Sequence, residues 1–279
     1  MIIVRVQGRL GNQLFQYALY KKLEKCGYEV YLDLTYFMEN PQIEYELPQL
    51  GLEVNIASKE AVEKLAGKKN LLNRVVRRAG LRHSYVREKD NRFHGYILKR
   101  DNVYLSGYWQ CDRYFDDIRE QIVTSIHYPM DRSDDNKELY QKICSSESVC
   151  VTIRRGDYVT NEKNKKKYYI CDREYFEKGM KKIIREISNP IFFAFSDDIE
   201  WVKENVAFPG EVYYESGNDP TYEKLRLMSA CKHFLISNSS FSWWAQYLSQ
   251  NRDKIVYAPT HWYADGCEAD IYQKEWRYV

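Results

Sequence analysis

The second half of the chain alternates short apolar runs with helix-spaced stretches, and this alternation limits the fold more than any other feature. Val149 to Ile153, Ile191 to Phe195, Val212 to Tyr214, His233 to Ile236 and Lys254 to Tyr257 have the length and apolar character of strands. Between them lie helical patterns: Arg173 to Ile187, the residues after Asp197-Asp198, Thr221 to Cys231 and Phe241 to Leu248. Strands separated by helices lie parallel in one sheet, with crossovers that are right-handed. The start of the chain repeats the theme. Ile2 to Val6 reads as a strand, Gly8-Arg9-Leu10-Gly11 as a turn, and the stripe Leu14, Phe15, Ala18, Leu19, Leu23 as a helix that Cys26-Gly27 ends. Tyr28 to Leu34 is a second strand, and Val103 to Leu105 another, entering Gly107-Tyr108-Trp109. Residues 36–62, with Pro41 and Pro48, carry no assignment. The expectation is an α/β protein of two Rossmann-like halves. The irregular stretch Met130 to Asn136 divides them into 1–133 and 134–279, with the last residues free to pack back on the N-terminal half.

Composition excludes several classes. Forty-two Lys and Arg stand against 40 Asp and Glu, a formal charge of +2, which argues against nucleic-acid binding through global charge. Hydrophobic residues at 44% exclude a disordered chain. The seven Cys form no C-x-x-C pair, so reduced structural thiols are expected rather than a zinc site. No apolar run reaches the ~18 residues of a membrane span, and MIIVRVQG reads as a strand rather than a signal peptide. The expected location is cytoplasmic.

Ligands of α/β sheets bind beyond the carboxyl ends of strands, and three strands here end in polar clusters. Val149–Ile153 runs into Arg154-Arg155-Gly156-Asp157. Two guanidiniums at one strand end point to an anionic ligand, since the planar fork matches phosphate oxygens. Asp157 is placed to orient one of them. The bland alternative is an Arg–Asp pair closing a loop. Ile191–Phe195 ends in Ser196-Asp197-Asp198, where one acid caps the next helix and the other is spare for a base edge. A third ligand for a metal is missing. His233–Ile236 ends in Ser237-Asn238-Ser239-Ser240, hydroxyls at a helix start of the kind that binds anions. Trp243 and Trp244 read as core. Gly8 and Gly11 allow close backbone approach to a ligand, and Asp33 mimics a ribose-binding acid, but the G-x-G-x-x-G of dinucleotide folds is absent. The sum is a nucleotide-diphosphate site built from Arg and hydroxyls without a metal, in a nucleotide-sugar transferase.

Four blocks then carry a resemblance: GRLGNQLFQYA (8–18), IRRGDY (153–158), FSDD (195–198) and SNSSFSWWAQYL (237–248), with Pro259-Thr260-His261-Trp262 after them. In this order the chain resembles the α-1,2-fucosyltransferases of glycosyltransferase family 11. The resemblance implies a GT-B fold, two Rossmann-like domains facing across a cleft. It implies GDP-β-L-fucose as donor, inverting transfer to the 2-hydroxyl of a galactose, and no metal or other cofactor. By the same resemblance Arg154 meets the β-phosphate, Arg155 and Asp157 fill the block's other charged positions, and Asp197 or Asp198 lies near guanine. Ser239, Ser240 and Phe241 lie around the pyrophosphate, and Asn12 faces the cleft. The family's first motif usually opens on His, where this chain has Thr152. Thr152 retains a hydrogen-bonding hydroxyl for the donor but no imidazole. Asp33, Tyr108 and Trp109 are acceptor-side candidates, with Asp33 a weak candidate for the base. The implied acceptor is a galactose-terminated oligosaccharide or lipid-linked glycan, as in bacterial glycan or O-antigen synthesis. Another GDP-sugar, an NAD-type oxidoreductase and a non-catalytic glycan binder are the alternatives.

Residues 64–87 hold eight Lys or Arg and no acid, and Leu71, Leu72, Val75, Val76 and Ala79 follow helical spacing. A solvated helix face and peripheral contact with an anionic membrane both account for this stretch. The run Lys163, Lys165, Lys166, Lys167 reads as an exposed loop.

Overall fold

The structure is a computed structural model that describes residues 1–131 and 135–279. It divides into two compact units, Met1–His127 with Ala269–Ile271, and Tyr128–Glu268 with Tyr272–Val279. The boundary expected between residues 133 and 134 lies outside the described residues.

In the first unit the elements are β1 (Ile2–Arg5), α1 (Leu10–Lys25), β2 (Val30–Asp33), α2 (Thr35–Glu39), α3 (Lys59–Ala66), α4 (Leu71–Arg78), β3 (Tyr85–Arg87), β4 (Val103–Ser106) and α5 (Arg119–Ser125). The four strands form one parallel sheet in the order β2-β1-β4-β3. Ile2, Ile3 and Val4 of β1 are fully buried, as are Leu14, Phe15, Ala18, Leu19 and Leu23 of α1. The helix-spaced stripe therefore forms the face that covers the sheet. The stretch without assignment holds most of α2, a short 3₁₀ helix at Leu47–Leu50 and the start of α3, and the basic helix expected within 64–87 occupies only Leu71–Arg78, α4. Tyr85–Arg87 is instead an edge strand, too short and too charged to read as one.

The second unit runs α6 (Lys137–Ser145), β5 (Glu147–Ile153), α7 (Gly156–Thr160), α8 (Glu162–Tyr168), α9 (Arg173–Glu186), β6 (Pro190–Ser196), α10 (Ile199–Asn205), β7 (Val212–Tyr214), α11 (Thr221–Ala230), β8 (His233–Ile236), α12 (Ser240–Leu248), β9 (Val256–Ala258) and β10 (Arg277–Tyr278). Its six strands are all parallel, in the order β10-β9-β8-β5-β6-β7. The core joins Val149, Val151 and Ile153 to Phe176, Met180 and Ile183 of α9 and to Val202 of α10. Gly179 lets α9 close on β8, since a Cβ there would lie 2.5 Å from Leu235 Cδ1. Trp243 and Trp244 are fully buried, as expected of core residues. The lysine run is not a loop. It forms α8, whose first N–H groups, Lys163 and Asn164, donate to the Asn161 side chain at 3.0 and 3.1 Å. An exposed helix made of lysines lacks an apolar stripe, so no periodicity announces it.

Candidate active site

Strand order in the second sheet reverses between β5 and β8: the chain proceeds from β5 through β6 to β7 on one side and from β8 through β9 to β10 on the other. Such a switch point leaves a crevice at the carboxyl edge. The three polar strand ends all lie there. Register pairs Ile153 with Ser196 and Thr152 with Ile236, so β5, β6 and β8 end together.

The charges at this edge are closely matched. Arg154 Nη1 lies 2.7 Å from Asp197 Oδ2, and its Nη2 pairs with Asp157 Oδ1. Burial works against the Arg154 charge, but Asp197 and Asp157 outweigh it and hold its pKa above the ordinary guanidinium value. Arg155 Nε donates to Asp198 Oδ2 at 3.0 Å, and its guanidinium carbon sits 3.5 Å from the centre of the Trp201 ring. Neither acid of the Asp197-Asp198 pair is spare, contrary to expectation. Asp197 also accepts the Arg155 N–H at 2.8 Å, and Asp198 caps α10 through Trp201 N. Two neighbouring arginines claim both carboxylates. Gly156 is required at the turn: φ is +24°, and a Cβ there would collide with Asp197 Oδ2.

Across the crevice Ser239 caps α12, accepting the Phe241 N–H at 3.3 Å. Ser240 and Phe241, the first two residues of the helix, are half-buried, and the Ser240 hydroxyl has no hydrogen bond among the described residues. Ser237 and Asn238 are buried instead. Asn238 Nδ2 donates to Tyr168 O and Trp262 O, both at 2.9 Å, and its Oδ1 accepts from Cys171 Sγ. Tyr158 OH reaches Asn238 O at 3.2 Å, which ties the Arg154 turn to the α12 turn. Thr152 is buried beneath this floor, where its Oγ1 accepts the Ser237 N–H at 3.2 Å. That hydroxyl links the end of β5 to the turn after β8 from a buried position. Among the described residues no group of three His, Cys, Asp or Glu has metal-binding geometry.

The sequence profile of glycosyl transferase family 11 matches residues 1–279, the whole chain. The chain belongs to this family. An α-1,2-colitosyltransferase of Escherichia coli is 31% identical over 273 residues, covering 94% of this chain and 92% of that protein. The galactoside 2-alpha-L-fucosyltransferase Sec1 of Mus musculus is 22% identical over 89% of this chain and 64% of its own length. Among solved structures, a FUT1 mutant of Arabidopsis thaliana in complex with GDP superposes with a TM-score of 0.55, covering 94% of this chain and 71% of that one at 10% identity. The fold is the GT-B architecture of two Rossmann-like α/β units, as expected. With family 11 membership, the chain is a glycosyltransferase, and the oxidoreductase and glycan-binder alternatives fall away.

The family 11 motif at residues 8–18 lies in the first unit. Gly8 has φ +80°, and a Cβ there would lie 2.5 Å from Asn12 Nδ2. Gly11 is in the first turn of α1, and Asn12 Oδ1 accepts from Gln110 Nε2 at 2.8 Å. Two glutamines of the motif have roles that no sequence pattern revealed. Gln13, fully buried, donates to Gly8 O and Glu44 O, and Gln16 Nε2 holds Gly107 O at 3.0 Å. They fasten the loops after β1 and β4. Asp33 is buried and committed: Thr35 N, Thr35 Oγ1 and Tyr104 OH all donate to it. A carboxylate so enclosed has no path to an acceptor proton, which removes it as the base. Trp109 is fully buried, edge-on to Tyr114, and is a core residue rather than an acceptor contact. Its φ of +57° is held by Glu88, whose carboxylate accepts the N–H groups of Tyr108 and Trp109 at 2.6 and 3.0 Å. Burial raises the Glu88 pKa against those two hydrogen bonds. Tyr108 itself is exposed. Among the described residues no helix is long and apolar enough to cross a membrane.

Proposed function

We propose that this family 11 enzyme transfers L-fucose from GDP-β-L-fucose to the 2-hydroxyl of a terminal galactose, with inversion and without a metal ion. The observation that carries the reading is the convergence of three polar strand ends at the β5/β8 switch point. On one wall Arg154 is fixed by two carboxylates, and on the other α12 opens with Ser239 and Ser240 at its N-terminus. A diphosphate fits between a guanidinium and a helix N-terminus.

In the proposed reaction the acceptor oxygen bonds to the anomeric carbon from the face opposite GDP. The carbon–oxygen bond to GDP breaks, its electron pair passes to the β-phosphate oxygen, and the acceptor proton is lost to water or a base. Arg154 offsets the charge that grows on the leaving phosphate. Asp157 and Asp197 keep its fork in place, so no reorientation is needed as that charge develops. Of the acceptor-side candidates Tyr108 remains for the sugar, and Asn12 keeps its expected place facing the cleft.

Removing one such stabilising group lowers kcat by roughly 10²–10³. Steady-state turnover of GDP-fucose by Arg154→Ala is expected to fall at least ~100-fold, with Arg154→Lys in between because it keeps charge but not the fork. Near-normal turnover by Arg154→Ala sinks the leaving-group role. The colitosyltransferase relative favours a second reading of the donor sugar, GDP-colitose in the same site. The ratio of kcat/KM for the two donors decides between them.

A further inference from the structure

In the first unit a cavity of about 330 Å³ opens at the carboxyl ends of β1, β4 and β3. Its lining is cationic: Arg5 from the end of β1, Arg74, Arg77 and Arg78 from α4, and Arg87 from the end of β3, against one carboxylate, Glu88. Glu88, held in place by the N–H groups of Tyr108 and Trp109, supplies a single negative charge against the five arginines. Arg74, Arg78 and Arg87 have no ion pair among the described residues, and the Nε of Arg5 is buried without a hydrogen-bond partner. Arg77 is anchored, donating to Ala66 O at 3.0 Å. Arg5 also pairs with Glu39 at 3.8 Å, which leaves the guanidiniums of Arg74, Arg78 and Arg87 to repel one another beside this cavity unless an anion enters.

The same helix carries an apolar edge. Leu71, Leu72 and Val75 are 79%, 73% and 62% exposed, and helical spacing places them on one face with the three arginines on the adjacent face. An oxyanion pocket beside an exposed apolar edge matches one kind of ligand, an amphiphile with a phosphorylated head. We propose that this cavity binds the phosphate or diphosphate group of a lipid-linked acceptor, and that the outer edge of α4 meets its apolar chain. The proposal rests on the transferase reading only in naming this ligand an acceptor.

The test uses the full chain saturated with GDP, so that added anion does not report on the donor crevice. Inorganic pyrophosphate is titrated calorimetrically into wild type and into the triple variant Arg74→Gln, Arg78→Gln, Arg87→Gln, whose sites are all exposed. The variant is expected to lose at least ~10-fold in pyrophosphate affinity and to keep its GDP affinity. Vesicles of phosphatidylcholine with and without phosphatidic acid form the second arm. The protein is expected to bind only those with phosphatidic acid, and both the arginine triple and Leu71→Ser, Leu72→Ser, Val75→Ser are expected to abolish that binding. The leucine and valine variant should retain pyrophosphate. Three results overturn the proposal: no pyrophosphate binding by the GDP-saturated wild type, equal binding by the arginine triple, or equal binding to the two kinds of vesicle. Failure of GDP itself to bind counts against the donor reading, and the pyrophosphate comparison between variants still stands.

Discussion

A methyl group at Gly156 would drive into Asp197 Oδ2, and the backbone there already sits at a positive φ. Strain of this sort costs about 1–3 kcal/mol, and the collision would in addition displace the acid that holds Arg154. Gly156→Ala is therefore expected to lower stability by about that amount and to weaken GDP binding about tenfold, as thermal unfolding and calorimetry would show. Unchanged GDP affinity would remove Asp197 from the donor site. Asn238 is a different kind of residue. Its side chain joins carbonyls of Tyr168 and Trp262 to the α12 turn, and Asn238→Ala leaves the buried Trp262 carbonyl and the half-buried Tyr168 carbonyl short of a donor. A loss of about 1–3 kcal/mol in urea unfolding is expected. The two residues also differ in how legible they were. Gly156 sits between two charges at a strand end, and that pattern is local. The partners of Asn238 come from distant loops, so nothing near residue 238 announces them.

At the scale of elements, strands and helices with an apolar period were legible, and those held by charge or by an edge position were not. β7 and β8 coincide with the runs read from the sequence, because each is apolar and bounded by turns. β3 and α8 escaped, one a three-residue charged edge, the other a lysine helix set by the Asn161 cap. The packing of α9 on β8 gives a stability test. Gly179→Ala gains helix propensity but forces its Cβ against the fully buried Leu235. A net destabilisation of about 1–3 kcal/mol in urea is expected. The start of β8 gives a pH test. His233 Nδ1 accepts the Ile255 N–H at 3.1 Å, and burial lowers the pKa of the ring despite Glu147. The fold thus prefers the neutral ring, whereas the unfolded chain takes up its proton near the ordinary value of about 6.5. The stabilisation is complete above that value and is lost as pH falls below it towards the lowered pKa. His233→Asn keeps an acceptor without the titration, so its unfolding free energy should decline less than that of wild type between about pH 7.5 and about pH 5.5. Parallel declines would contradict the assignment.

At the scale of the whole molecule, the near-neutral charge conceals two local arrangements: a balanced Arg–Asp cluster in the second unit and an unbalanced arginine cavity in the first. Several of the 25 tyrosines are packing residues with anchored hydroxyls, such as Tyr175 on Ile236 O and Tyr222 on Asp131. Tyr158 and Tyr168 stack at 5.1 Å beneath the Arg154 turn. The two-unit α/β design was legible from alternation alone, and the donor crevice from three polar strand ends. The arginine cavity was not, because its residues come from β1, α4 and β3, and only the order of the first sheet brings them together. The central claim is that the β5/β8 crevice holds a diphosphate through Arg154 without a metal. Calorimetric titration of GDP and GMP in the presence of EDTA tests it most directly. Wild type should bind GDP roughly tenfold or more tightly than GMP, and Arg154→Ala should erase most of that preference. Equal affinity for the two nucleotides in wild type, or a preference untouched in Arg154→Ala, would contradict the account.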